Sequence, residues 1–185
     1  MKNQIIIGLG YRAKSGKDTV GNYLVREHGF KRIAFADRLK QVAGLLCNTS
    51  DYDTSEFKED LTPFGITGGQ LLQRVGVALR DAVPGIWLDA SGLRVQAQLC
   101  SRIVVTDVRF EDEAALVKEL GGHLWEVRRG VAQDDHTSET SGAKIKWDHV
   151  IPNYGSLSDL RHEVDKQLSE VAPSFSRPIG APDIS

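Results

Sequence analysis

Residues 5–20 read IIIGLGYRAKSGKDTV. The opening run is apolar and rich in β-branched residues, a composition suited to a strand buried on both faces. It breaks at Gly10 into a turn containing Ser15 and Gly16, and a helix is expected over 17–28. A strand, a Gly/Ser-rich turn and a helix in that order aim helix N-terminal amides at an anion and set the Lys17 charge over it. The stretch therefore reads as a nucleotide phosphate loop rather than a surface turn. It departs from the pattern G-x-x-x-x-G-K-[ST] twice. Tyr11 holds the first glycine position, with Gly10 one residue earlier, and Asp18 stands where a hydroxyl residue is usual, with Thr19 next. A carboxylate beside phosphates can hold magnesium directly or through water, provided cations such as Arg12, Lys14 and Lys17 offset it. Asp18 and Thr19 both stand as candidates to face the metal.

The rest of the chain supplies the frame for such a loop. Short apolar runs at 4–9, 32–36, 102–106, 123–127 and 149–151 are the strand candidates. Helical periodicity fills 17–28, 37–47, 69–83, 86–99 and 111–120. A last helix follows Ser156, with Asp159 three residues on as a capping-box variant and Leu157, Leu160, Val164, Leu168 and Val171 on one face. Alternating strands and helices imply β-α-β units, hence an α/β fold with a five-stranded parallel sheet and helices on both faces. One domain over 1–171 is expected, with a loose Pro/Ser/Gly-rich tail at 172–185. Two polar segments, 48–68 and 129–146, are long enough to serve as binding segments or lids.

Composition narrows the function class. A net charge of −2 over 185 residues carries no basic stripe and argues against a nucleic-acid binder. No apolar run reaches the ~18 residues of a membrane span. Cys47 and Cys100 are far apart and lack metal-type spacing, so free thiols and a cytoplasmic setting are expected.

Two further signals carry chemistry. In IVVTDVRFEDE (103–113), an apolar strand ends in Asp107, which places a carboxylate at the C-terminal edge of a parallel sheet, where such sheets bind ligands. Val108 follows it directly, so no glutamate stands there to orient a hydrolytic water, which favours transfer to a bound acceptor. Cations recur near the expected loops and helix starts: Arg38 and Lys40, Arg74 and Arg80, Arg109, then Arg128 and Arg129. Together they suffice for two phosphate-bearing substrates, and phosphoryl transfer needs charge neutralisation and in-line positioning above all.

In these residues the chain resembles the bacteriophage deoxynucleoside monophosphate kinases, which share the adenylate-kinase-like P-loop fold. The likeness runs from Ile5 to about Leu168. It rests on SGKDT (15–19), FADRLK (35–40), LLQRVGVALRDAVPGIWLDA (71–90), VVTDVRFEDEAALVKELGGHLWEVRR (104–129), DHTSE (135–139) and DHVIPNYGSLSDL (148–160). An aspartate after the Gly-Lys pair is that family's usual form. Tyr154 stands where the family commonly has an acidic residue, and Val77-Ala78 replace a threonine-containing step.

The resemblance implies a nucleoside monophosphate kinase-like fold with an acceptor-binding region at about 37–100 and a mobile lid at about 129–146. It implies ATP as phosphoryl donor, magnesium, and a deoxynucleoside monophosphate as acceptor. Lys14, Ser15, Gly16, Lys17, Asp18 and Thr19 would hold ATP and metal, with Asn153 near the donor base. Arg12, Lys14, Arg38, Gln73, Arg80, Trp87, Asp107, Arg109 and Glu113 would serve the acceptor. Lys17, Asp107, Arg109, Arg128 and Arg129 would carry catalysis, and His136, Ser138 and Glu139 belong to the lid. The resemblance also implies a homodimer, although no apolar stripe in the sequence decides the oligomeric state. The rival readings are a dephospho-CoA-kinase-like or other small-molecule kinase on the same scaffold, and a nucleotide-binding protein without turnover.

Overall fold

The computed structural model describes residues 4–10, 14–129 and 144–173. It divides into two compact units, one built from the chain up to Ala34 and from Arg94 onward, the other from Phe35–Leu93.

The first unit is a five-stranded sheet with every neighbouring pair parallel. Its strands are β1 (Ile5–Gly10), β2 (Lys31–Ile33), β3 (Arg102–Val108), β4 (His123–Arg128) and β5 (His149–Pro152), in the spatial order β2-β3-β1-β4-β5. All six residues of β1 are buried, as a central parallel strand requires. Their side chains alternate between two helical layers. Ile5, Ile7 and Leu9 join Val104, Trp125, Val127 and Ile151 under Val20 and Leu24 of helix α1 (Lys17–His28) and Leu160, Val164 and Leu168 of helix α8 (Leu157–Val171). On the other face a side chain at Gly8 would press on Leu124, Val108 and Val117, the last from helix α7 (Glu111–Glu119).

Topology places the functional end of this sheet. From β1 the chain leaves through α1 towards β2, whereas from β4 it leaves towards β5 on the opposite side. Adjacent strands whose connections diverge open a crevice beyond their carboxyl ends. The loop after β1 and the arginines that end β4 both lie at this point. The register confirms the proximity, since Gly10 pairs with Val108 on one side and Glu126 on the other.

The second unit holds helices α2 (Ala36–Cys47), α3 (Ser55–Glu59), α4 (Gly68–Ala82) and α5 (Ile86–Ala90). Ala43, Phe57 and Leu71 form its small core, with Cys47, Tyr52, Ile66, Leu72 and Val75 packed against it. Helix α6 (Leu93–Leu99) starts at the boundary between the units. The N-terminus of α4 lies so close to α3 that a Cβ at Gly68 would collide with the Phe57 carbonyl.

Three expectations need correction. The helix expected over 86–99 is two helices, because Gly92 takes a left-handed φ of 71° and Ser91 Oγ then accepts the Leu93 amide at 3.1 Å. The stretch 48–68 is not wholly irregular, since Thr54 Oγ1 accepts the Phe57 amide at 3.1 Å and caps α3. Leu157 belongs to the exposed side of α8, at 50% exposure, while Leu160, Val164 and Leu168 are buried. Cys47 and Cys100 are free thiols. Among the described residues no helix is long and apolar enough to cross a membrane. Most of the expected tail and most of the expected lid lie outside the described residues, and Ala172, the first residue of that tail, is buried in the core.

Candidate active site

The site starts at the carboxyl end of β1. Lys14 has a left-handed φ of 58° and Gly16 a φ of 105°, and Gly16 is the N-cap of α1. Among the described residues no side chain caps that helix end, so the amides of its first turn, which have no intrahelical acceptor, and the positive end of its dipole meet the loop. Lys17 is buried, at 8% exposure, and Asp18 and Thr19 are exposed in the first turn. Ser15 is also buried, at 4%, and its hydroxyl has no hydrogen-bond partner among the described residues. A buried hydroxyl without a partner is costly unless a ligand atom satisfies it. The Ser15 hydroxyl, the buried Lys17 and this helix end together fit a phosphate group.

Asn153, in the turn between β5 and α8, closes the other side of this loop. Its Nδ2 donates to the Ser15 carbonyl at 2.8 Å and its backbone N–H to the Arg128 carbonyl at 2.7 Å. The Asn153 amide stands where a Cβ on Gly16 would lie. Gly10 is hemmed in similarly, by the Trp147 ring and the Val108 carbonyl.

At the end of β3, Asp107 is half-buried and Arg109 exposed. Glu113, at 3% exposure, reaches back from α7 so that its Oε2 accepts the amides of Arg109 at 2.8 Å and Phe110 at 3.1 Å. It shapes the turn that carries Arg109. At the end of β4, Arg128 is held bidentately by Glu126, Nε to Oε1 at 3.0 Å and Nη2 to Oε2 at 2.7 Å. The side chain of Glu126 is 7% exposed and that of Arg128 51%. Arg129 is exposed.

In the second unit, Arg38 of α2 donates to the Ala90 carbonyl at 3.3 Å and to Gln41 Oε1 at 2.8 Å. Lys40 pairs with Asp53 at 2.5 Å. Trp87 is buried, and its Nε1–H donates to the Gly76 carbonyl at 3.0 Å, pinning α5 to α4. Gln73 and Arg74 are exposed on α4, and Arg80 is half-buried there. Several cations that the sequence offers as ligand contacts thus carry structural bonds. Arg12, His136, Ser138 and Glu139 lie outside the described residues.

Two residues that pack or pair with these groups escaped the sequence reading. Glu126 is a lone carboxylate within the apolar strand HLWEVR, and that break in an otherwise buried pattern is a cue that could have marked it. Trp147 left no cue, since its place over Gly10 depends on the path of the chain before β5.

No family profile matches this chain. A protein of Acanthamoeba polyphaga mimivirus, named "Putative deoxynucleotide monophosphate kinase", is 36% identical over 183 residues, covering 86% of this chain and 94% of the viral protein. The chain belongs to the deoxynucleotide monophosphate kinase family of P-loop kinases. Among solved structures, the fold is similar to that of TT1252 from Thermus thermophilus, with a TM-score of 0.51, 19% identity and coverage of 91% and 98% of the two chains. A dephospho-CoA kinase from Campylobacter jejuni aligns with a TM-score of 0.45 and 18% identity, covering 94% of this chain and 99% of its own. Family membership makes the chain a kinase-type phosphotransferase with a nucleotide-binding P-loop.

Proposed function

We propose that this chain transfers the γ-phosphoryl group of ATP to a deoxynucleoside monophosphate, yielding the diphosphate and ADP. The observation that carries this reading is the cradle at the end of β1, where the Ser15 hydroxyl and the N-terminal end of α1, neither with a side-chain partner among the described residues, converge with the buried Lys17. The name of the viral relative supports the acceptor class.

An oxygen of the acceptor phosphate attacks the γ-phosphorus while the bond to the β-γ bridging oxygen breaks and ADP departs. Such a reaction asks the protein for positioning and charge neutralisation rather than for a covalent intermediate. Lys17 neutralises the transferring group, and Lys14, Ser15 and Gly16 cradle the donor phosphates. Magnesium, when bound, would supply positive charge to offset the negative charge of the donor phosphates. Asp18 and Thr19, exposed in the first turn of α1, are the groups of this chain that would hold it.

Asp107 and Arg109 serve the acceptor phosphate, on a turn set by Glu113. Arg38, Gln73 and Arg80 are the second-unit residues assigned to the acceptor, with Trp87 supporting α4 through Gly76. Arg128 and Arg129 stabilise the spread negative charge. In this reading Arg12 assists the phosphates, and His136, Ser138 and Glu139 form a lid that excludes water.

The test is an ADP-release assay with Mg-ATP and each deoxynucleoside monophosphate, AMP and dephospho-CoA in parallel, with Lys17→Ala as control. Turnover with one or more deoxynucleotides, reduced at least ~100-fold in the control, is the expected outcome. Turnover only with dephospho-CoA or AMP sinks the acceptor assignment, and ADP release without any acceptor marks an NTPase.

A further inference from the structure

Asn153 occupies a position that a role at the donor base does not account for. Its backbone amide donates to the Arg128 carbonyl at 2.7 Å, so the β4–β5 pairing continues one residue past the end of β5 and fixes where its side chain starts. From there Nδ2 reaches the Ser15 carbonyl at 2.8 Å, across 138 residues of sequence. The same amide fills the space beside Gly16 that a Cβ would need.

The planarity of the peptide bond turns this contact into a directional constraint. In a trans peptide the C=O and the following N–H point to opposite sides. Drawing the Ser15 carbonyl towards Asn153 therefore turns the Gly16 N–H away from Asn153. Gly16 completes the turn at a φ of 105°, which a residue with a side chain rarely adopts, and α1 begins at the next residue. We infer that Asn153 is a positioning residue for the phosphate loop, acting on the donor's phosphates by orienting the Ser15–Gly16 peptide and independently of the base. This inference rests on the reading of the cradle as the donor phosphate site.

Calorimetric titration of the full chain with ATP, GTP and inorganic tripolyphosphate tests it, using wild type, Asn153→Ala, the uncharged and near-isosteric Asn153→Leu, and Lys17→Ala. Thermal unfolding of each variant without ligand reports whether it is folded. In both Asn153 variants the affinity for all three ligands is expected to fall by a common factor of about ten, the worth of one hydrogen bond. Loss confined to ATP, with tripolyphosphate affinity unchanged, overturns the inference in favour of a base contact. Unchanged affinity for all three in a folded variant overturns it as well. Failure of the underlying reading looks different: wild type then binds no tripolyphosphate, or Lys17→Ala binds it as well as wild type does, and the inference falls with it. Should Asn153→Ala fail to fold, Asn153→Leu, which keeps the size and the neutrality but loses the donor, decides the outcome alone.

Discussion

Glu126 and Arg128 sit two positions apart on β4, so their side chains share a face of the sheet. They do not share an environment. With 7% of its side chain exposed, Glu126 depends on its partner for compensation, whereas Arg128, at 51%, also reaches water. Removing either partner therefore has unequal consequences. Arg128→Met leaves a buried carboxylate facing an apolar side chain and should destabilise the fold by about 2–3 kcal/mol. Glu126→Gln keeps an acceptor in place and leaves a cation that water can solvate, for a cost of about 1 kcal/mol or less. Urea unfolding of the two variants measures the difference, and equal losses would contradict the asymmetry. Glu113 shows the same logic in a finished form, because its buried carboxylate is compensated by backbone amides of the turn it shapes.

At the scale of elements, the ends of helices explain most of what was legible. Ser156 and Asp159 exchange side-chain and backbone bonds across the first turn of α8, at 3.2 and 2.8 Å, as their spacing predicts. Ser156→Ala should cost about 1 kcal/mol, read as a lower urea midpoint with an unchanged denaturant slope. A loss below ~0.3 kcal/mol would mean that packing against the sheet alone holds this helix end. Packing there is substantial, since α8 is also tied to α1 through Asp165, which accepts from the Tyr23 hydroxyl at 2.8 Å and meets His28 Nε2 at 2.8 Å. Burial and the bond to Asp165 push the Tyr23 hydroxyl up to about 12. Periodicity was a poorer guide where a turn costs only two residues. The Ser91-Gly92 step ends one helix and caps the next, and apolar spacing on either side of it still looks continuous.

For the molecule as a whole, acid sensitivity should concentrate in the first unit. Burial holds the His123 imidazole below its usual value, and the neighbouring Lys118 and His149 add to this while Asp148 opposes it. Burial pushes the Asp148 carboxyl up, but the Leu124 amide and the Lys118 ammonium outweigh it and bring the group below its usual range. For both groups the unfolded chain takes up protons at a higher pH than the folded one does. Stability is therefore complete at neutral pH and falls with acidification, first as pH drops through about 6.5 for His123 and then below about 4 for Asp148. Urea midpoints measured between pH 8 and pH 4 should show the first loss in wild type and a weaker one in His123→Gln. Identical profiles for the two proteins would remove His123 from the account.

The sequence by itself determined the phosphate loop, the five strands, most of the helices and the carboxylate at the end of β3. These depend on apolar runs, turn residues and caps that interact within a few residues, and they remain visible in a short window. Only the tertiary structure decided which cations are committed to structural bonds, that Glu126 holds Arg128, and that Asn153 grips the Ser15 carbonyl. Those facts depend on strand order, since β1 lies between β3 and β4 and β5 flanks β4. That order brings residue 153 to residue 15, and a contact of such long range has no local chemistry from which it could be read.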